Sequence, residues 1–138
     1  MLTEEKIRKM SAGDYMNKDQ LQFFEQRLVE LKQQTEAHIE EVKHELAHYE
    51  FEPDDNDRAS LEEERATMLR IIERESKLLP KIQYSLKQIK EGTYGFCEET
   101  GEPIGIERLL LRPTATLSTE AKSLSEAKER HYSDLDRE

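Results

Sequence analysis

A chain of 138 residues, 38% charged and only 35% hydrophobic, cannot bury a large compact core, so its apolar side chains must lie in thin seams between a few elements. The net charge of −10, from 31 acidic against 21 basic side chains, argues against tight sequence-independent binding to DNA; work on nucleic acid would pass through another protein. No apolar run nears the roughly 20 residues that span a bilayer, there is no signal-peptide core, and the single cysteine, Cys97, allows no internal disulfide, all of which fits a soluble protein of a reducing cytosol with no membrane partner.

Residues 1–16 are mostly charged or polar. Leu2, Ile7 and Met10 stand at loosely helical spacing before Gly13 breaks the pattern, which predicts a short helix laid on the base of a longer helical element or a frayed tail. From Asn17 the character changes. Leu21, Phe24, Leu28, Leu31, Thr35, Ile39, Val42, Leu46 and Tyr49 alternate by threes and fours, which makes one dry stripe on a helix. Asn17 can cap its start with Gln20 as capping-box partner, and Met16 and Leu21 are placed for a hydrophobic staple.

After a short acidic turn, 51–59, the pattern returns at Leu61, Met68, Ile72, Leu79, Ile82, Leu86 and Ile89 and stops at Gly92, a residue suited to a left-handed cap. Asp57 and Ser60 both qualify as the cap of this second arm. Two amphipathic helices joined so closely run antiparallel, each covering the other's stripe, and roughly thirty residues per arm carry the turn about 45 Å from the base. Pro80 removes one backbone hydrogen bond, so a bend between Ser76 and Pro80 is expected.

Residues 93–117 are rich in turns and suit a compact knuckle with room for one small hairpin, from which 108–113 lead out. Ser118 can cap a last helix to about His131, with a charged tail to residue 138. Among the histidines, His38, His44 and His48 lie on the first arm and His131 near the end. His44 and His48 are spaced i, i+4, but nothing nearby completes a four-ligand metal set, and a solvated helix face is the reading. Gly-rich phosphate loops, paired catalytic carboxylates in an apolar setting and Ser/His/Asp arrangements are missing, so no catalytic residues are assigned and no enzyme is expected.

The tip Asp54-Asp-Asn-Asp57-Arg58-Ala59, with Tyr94-Gly-Phe-Cys97 through Gly105 and Arg112-Pro-Thr-Ala115, resembles the DksA/TraR family of bacterial transcription factors; the similarity runs from about Gly13 to His131. The tip fits the family's DxxDxA pattern. The resemblance implies a mostly α fold: a long antiparallel coiled-coil hairpin (17–92) on a small zinc-finger-like base (93–117), with an N-terminal segment (1–16) and a C-terminal helix and tail (118–138). It also implies a zinc knuckle of two CxxC pairs, and here the chain departs. The four ligand positions fall on Cys97, Thr100, Ser118 and Ala121, and one thiol, two hydroxyls and a methyl cannot form a structural zinc site. The zinc-free subtype of the family is the closer likeness, no metal or other structural cofactor is expected, and Cys97 reads as a small buried hydrophobe.

By the same resemblance the chain binds RNA polymerase rather than DNA, as a monomer, and inserts its tip into the secondary channel. The tip roles fall on Asp54, Asp57 and Ala59, a polymerase contact on Arg74, and the site for the alarmone (p)ppGpp on Leu78, Lys81, Arg112 and Lys122. Inhibition of ribosomal RNA promoters and activation of some biosynthetic promoters are the implied outcomes. Two other readings suit the residues: a transcript-cleavage factor whose acidic tip helps the polymerase hold a second metal ion, and a structural coiled-coil adaptor for some other protein.

Overall fold

The computed structural model describes residues 1–51 and 58–118. Their order is α1 (Glu4–Arg8), a 3-10 turn (Ala12–Asp14), α2 (Lys18–Phe51), α3 (Arg58–Glu91) and α4 (Ile106–Leu111).

The N-terminal segment takes the docked form of the two expected. Thr3, in extended backbone, caps α1 by accepting the Lys6 amide at 3.3 Å, and Glu4 and Glu5 stand in the first turn, where the helix dipole favours them. Ile7 is buried, Glu4 pairs with Arg27 of α2, and Arg8 pairs with Glu107 of α4 at 3.2 Å. The start of α2 follows expectation with one variation. Asn17 Oδ1 accepts the Gln20 amide at 2.9 Å, while the Gln20 side chain accepts the amide of Met16 at 2.9 Å. A plain capping box would have Gln20 take the Asn17 amide, but that amide already donates to the Asp14 carbonyl at 3.0 Å.

The two long helices bury the expected stripes against each other. Phe24, Leu28, Ile39 and Val42 of α2 and Met68 and Ile82 of α3 are buried, and Leu21, Leu31, Ile72, Leu79, Leu86 and Ile89 are half-buried. Thr35 is buried without penalty because its hydroxyl donates back to the Leu31 carbonyl at 2.7 Å. Ser85 and Gln88, polar residues outside the apolar stripe, are buried in the same seam.

α3 begins at Arg58, so Ser60 lies inside its first turn and is not the cap; the other candidate, Asp57, lies outside the described residues. The helix continues through Pro80 as one element. Pro80 is exposed, so the carbonyl of Ser76 that loses its amide partner lies on the wet side. The end is as expected: Gly92 takes φ +78°, Gly92 N–H donates to Ile89 O at 3.3 Å and Thr93 N–H to Gln88 O at 3.0 Å, the two bonds of a Schellman cap.

The knuckle does contain a small hairpin, an antiparallel bridge between Phe96 and Pro103 closed by a tight turn in which Cys97 N–H donates to Glu102 O at 2.7 Å and Gly101 N–H to Cys97 O at 2.8 Å. Gly95 is required twice over. Its φ is +91°, and a Cβ there would lie 2.8 Å from Met16 Cγ. One expectation fails: Ile106–Leu111 is helical, where the turn-rich sequence suggests a plain lead-out from 108 to 113. Leu109 and Leu110 point into the base, so tertiary burial, not periodicity, stabilises this short helix. The core of the base gathers Ile7, Phe24, Leu28, Ile82, Tyr94, Cys97, Ile104, Leu109, Leu110 and Ala115. Ser118 is described and non-helical; the helix expected beyond it lies outside the described residues.

Candidate functional site

Three regions carry the residues singled out in the sequence. At the tip, Asp54 and Asp57 lie outside the described residues, and Ala59 is exposed in the first turn of α3. Along α3, Arg74 is exposed and makes a loose 3.7 Å pair with its neighbour Glu75, which also meets His38 of α2 at 3.3 Å. Leu78 is half-buried against the core of the base, whereas Lys81, one turn further on, projects into solvent. Arg112 ends α4 with its side chain exposed; its carbonyl accepts the Ala115 amide at 3.0 Å. Among the described residues neither Lys81 nor Arg112 has an ion-pair partner. Lys122 lies outside the described residues.

At the knuckle the structure brings together three of the four degenerate zinc positions. The Thr100 hydroxyl hydrogen-bonds the Cys97 sulfur, with further help from the amides of Ser118 and Thr100 and the Ser118 hydroxyl. These donors favour the thiolate and outweigh the burial that opposes it, lowering the thiol to about 6. Cys97 is buried, as expected, at 3% exposure, and the donors around it favour the thiolate. The donor set does not fit zinc: a single sulfur and two hydroxyls make too weak and too few ligands, and Ala121, outside the described residues, has a methyl side chain. Among the described residues no group of three or more His, Cys, Asp or Glu side chains stands where it would hold a metal ion.

Other residues that organise this region were not singled out in the sequence. Tyr15 donates its hydroxyl to Gly95 O at 2.5 Å and accepts the Gly105 amide at 3.0 Å, and its ring meets Phe96 edge-on at 5.5 Å. Burial raises its pKa. Tyr94, buried against Phe24 with ring centroids 5.6 Å apart, donates to Pro113 O at 2.8 Å; burial pushes its pKa well up. Arg108 Nε donates to Leu117 O at 3.0 Å. On the α3 side, the Glu98 carboxylate accepts from Tyr84 Oη and, at 3.3 Å, from Gln88 Nε2, and hydrogen bonding to Glu98 raises the Tyr84 pKa. A tyrosine can be read from sequence as a buried ring, but no spacing rule tells which carbonyl its hydroxyl will find.

A long helical hairpin standing on a small turn-rich knuckle, where Cys97, Thr100 and Ser118 converge, defines the class: a mostly α protein with a helical stalk on a zinc-finger-like base. Residues 20–89 match the model of the DnaK suppressor protein DksA N-terminal domain, and residues 92–127 match the prokaryotic dksA/traR C4-type zinc finger. The chain is 42% identical over 124 residues to the RNA polymerase-binding transcription factor DksA of Caulobacter vibrioides, covering 87% of this chain and 85% of that protein. It is 38% identical over 122 residues to the protein of the same name from Escherichia coli K12, covering 85% and 78%. The solved structure of transcription factor DksA2 from Pseudomonas aeruginosa superposes with a TM-score of 0.83 at 48% identity, over 93% of this chain and 98% of that one. The chain belongs to the DksA family.

Proposed function

We propose that this protein is a non-enzymatic regulator of transcription initiation that binds RNA polymerase in the cytoplasm as a monomer and reaches into the secondary channel with the tip of its hairpin. The observation that carries the reading is the combination of family membership with two 34-residue helices, α2 and α3, which make a stalk roughly 50 Å long at 1.5 Å per residue. A rigid stalk of that length can deliver a few acidic side chains to a place the body of the protein cannot enter. Its relatives' name supplies the partner. Carboxylates at such a tip, Asp54 and Asp57 close in sequence to the small Ala59, can pair with basic side chains or perturb a nearby bound metal ion electrostatically.

The effector reading is that Lys81, Arg112 and Lys122, with Leu78 alongside, receive (p)ppGpp between this protein and the polymerase. Arg112 supplies a bidentate fork for phosphate and the lysines supply point charges. Arg74 contributes a contact to the polymerase. Promoters with short-lived open complexes, such as those for ribosomal RNA, are then inhibited and some biosynthetic promoters activated. The protein works without zinc, because hydrogen bonds and apolar packing hold the knuckle together, and such a form suits a cell short of zinc.

Single-round transcription with purified polymerase on a ribosomal RNA promoter, with and without (p)ppGpp and in the presence of a zinc chelator, tests these statements together. Inhibition that survives chelation and deepens with (p)ppGpp is the expected result. An absence of inhibition under every condition rejects the regulator reading, and stimulated RNA cleavage in arrested complexes would put the transcript-cleavage reading in its place.

A further inference from the structure

We infer that Glu98 is a positioning residue: held by Tyr84 and Gln88 of α3, its carboxylate sets the angle at which the hairpin leaves the knuckle. The functional consequence rests on the polymerase reading above, while the structural consequence does not.

Knuckle and hairpin meet through the apolar core, in which Phe24, Leu28 and Ile82 of the hairpin pack with Tyr94, Cys97 and Ile104 of the knuckle. Apolar burial holds two bodies together but is non-directional, so by itself it tolerates rocking. Hydrogen bonds are directional, and the knuckle makes them to both arms. On the α2 side the Tyr15 hydroxyl, two residues before Asn17, joins the Gly95 carbonyl and the Gly105 amide. On the α3 side the backbone bond from Thr93 N–H to Gln88 O closes the helix end, and the side-chain tie is Glu98: one carboxylate oxygen takes Tyr84 Oη and Gln88 Nε2, two donors one helical turn apart. The phenol-to-carboxylate bond is of the charge-assisted kind, the stronger class. Glu98 also reaches forward, for its amide donates to the Thr116 carbonyl at 2.9 Å. One residue therefore links α3, the knuckle turn and the segment leading away from Arg112.

The geometry magnifies what happens there. Tyr84 lies 26 residues from Arg58, the first residue of α3, hence roughly 39 Å from the tip end of the arm. A tilt of about 5° at the base displaces that end by roughly 3 Å, enough to miss a contact made by a short carboxylate. Tyr84 is 47% exposed, so it adds little to the core, and its loss mainly removes the directional tie.

The test uses the full chain and three variants, Glu98→Ala, Tyr84→Phe and Glu98→Gln, the last retaining the acceptor oxygen without the charge. In the free protein, residual dipolar couplings from α3 and from residues 94–116 are expected to share one alignment tensor for the parent and Glu98→Gln, whereas in Glu98→Ala and Tyr84→Phe the knuckle set should depart from the α3 tensor. A common tensor in Glu98→Ala overturns the inference whatever the protein's partner. With polymerase, the same two variants should bind with a Kd within about twofold of the parent but lose about fivefold of the effect on promoter-complex lifetime at saturation, with Glu98→Gln restoring it. A Glu98→Ala protein with the full effect at saturation, or a Glu98→Gln protein as defective as Glu98→Ala, also overturns it. If the parent itself leaves promoter complexes unchanged, the polymerase reading fails, and the couplings alone decide the clamp.

Discussion

Gln20 holds Met16 by the backbone: its side-chain oxygen accepts the Met16 amide at 2.9 Å, and Met16 sits at φ +53°, a left-handed conformation uncommon for a side chain of its kind. The same Gln20 is 1% exposed and directs its amide nitrogen to the Met10 sulfur at 3.5 Å. A polar residue at an element boundary thus fixes how the N-terminal segment enters α2, and it places Met16 against Gly95 of the knuckle.

Replacing Gln20 by Ala should therefore cost more than an exposed capping residue would. It leaves the Met16 amide unsatisfied beside the core and opens a gap where the amide stood, for a loss of about 2 kcal/mol. Urea unfolding followed by circular dichroism measures it. Gln20→Glu, which keeps the acceptor, is expected to recover about half of the loss.

Tyr15→Phe isolates a second tie. The ring and its edge contact with Phe96 remain, but the Gly105 amide loses its acceptor and the Gly95 carbonyl loses one of its two donors, the other being the Ile104 amide at 2.8 Å. The expected cost is about 1–2 kcal/mol, accompanied by faster hydrogen exchange at the Gly105 amide. Exchange at Gly105 as slow as in the parent would show that the phenol is not its partner in solution.

How much of this is legible in the sequence depends on what kind of physics fixes each part. The long helices are legible because apolar burial imposes a period: Leu21 to Leu46 are spaced by threes and fours, and Leu61 to Ile89 by threes, fours and sevens, over many turns. Gly92 is legible because few residues other than glycine adopt the left-handed cap easily. α4 is not, since six residues ending in three leucines show no helical period, and Leu111 remains 87% exposed. Nor are Ser85 and Gln88 in the seam, where the position and not the side chain determines burial. The convergence of Thr100 and Ser118 on Cys97 is visible only through resemblance, because positions 18 residues apart along the chain are brought together by the knuckle's turns.

Ser85 supplies a prediction of opposite sign. It is fully buried on α3, and its hydroxyl has no hydrogen-bond partner among the described residues, so the folded state carries its desolvation cost without return. Alanine removes the hydroxyl and has the higher helix propensity, so Ser85→Ala should be neutral or stabilising by about 1 kcal/mol. A loss of stability in urea titration would mean that a water or a rotated hydroxyl partner satisfies Ser85 in solution.

Cys97 should make stability depend on pH. Its folded pKa is lowered from 9.0 to about 6, chiefly by the Thr100 hydroxyl, so the folded state binds the proton less readily than the unfolded chain. The stabilisation is complete above the unfolded value, declines as the pH falls and is gone below the folded one. The difference in stability between the parent and Cys97→Ala should therefore shrink between pH 9 and pH 6, and the Cβ carbon shift of Cys97 should titrate near the lower value. Titration at or above the ordinary thiol range would show that burial outweighs the donors.

Variants at the tip test whether binding and action can be separated. Asp57→Asn preserves size and much of the hydrogen-bonding capacity while removing one charge, next in sequence to Arg58, the first residue of α3. If the stalk and knuckle provide the affinity and the tip provides the effect, the variant should compete with the parent for polymerase at a Kd within about twofold while losing most of the change in promoter-complex lifetime, about tenfold or more. Ala59→Glu complements it: Ala59 is exposed beside the tip, and a bulky charge there blocks close approach without disturbing the helical seam. Competition binding and promoter-complex decay, measured on the same preparations, check both variants. A proportional loss of affinity and effect in the two would move the tip from the acting end of the protein to its docking surface.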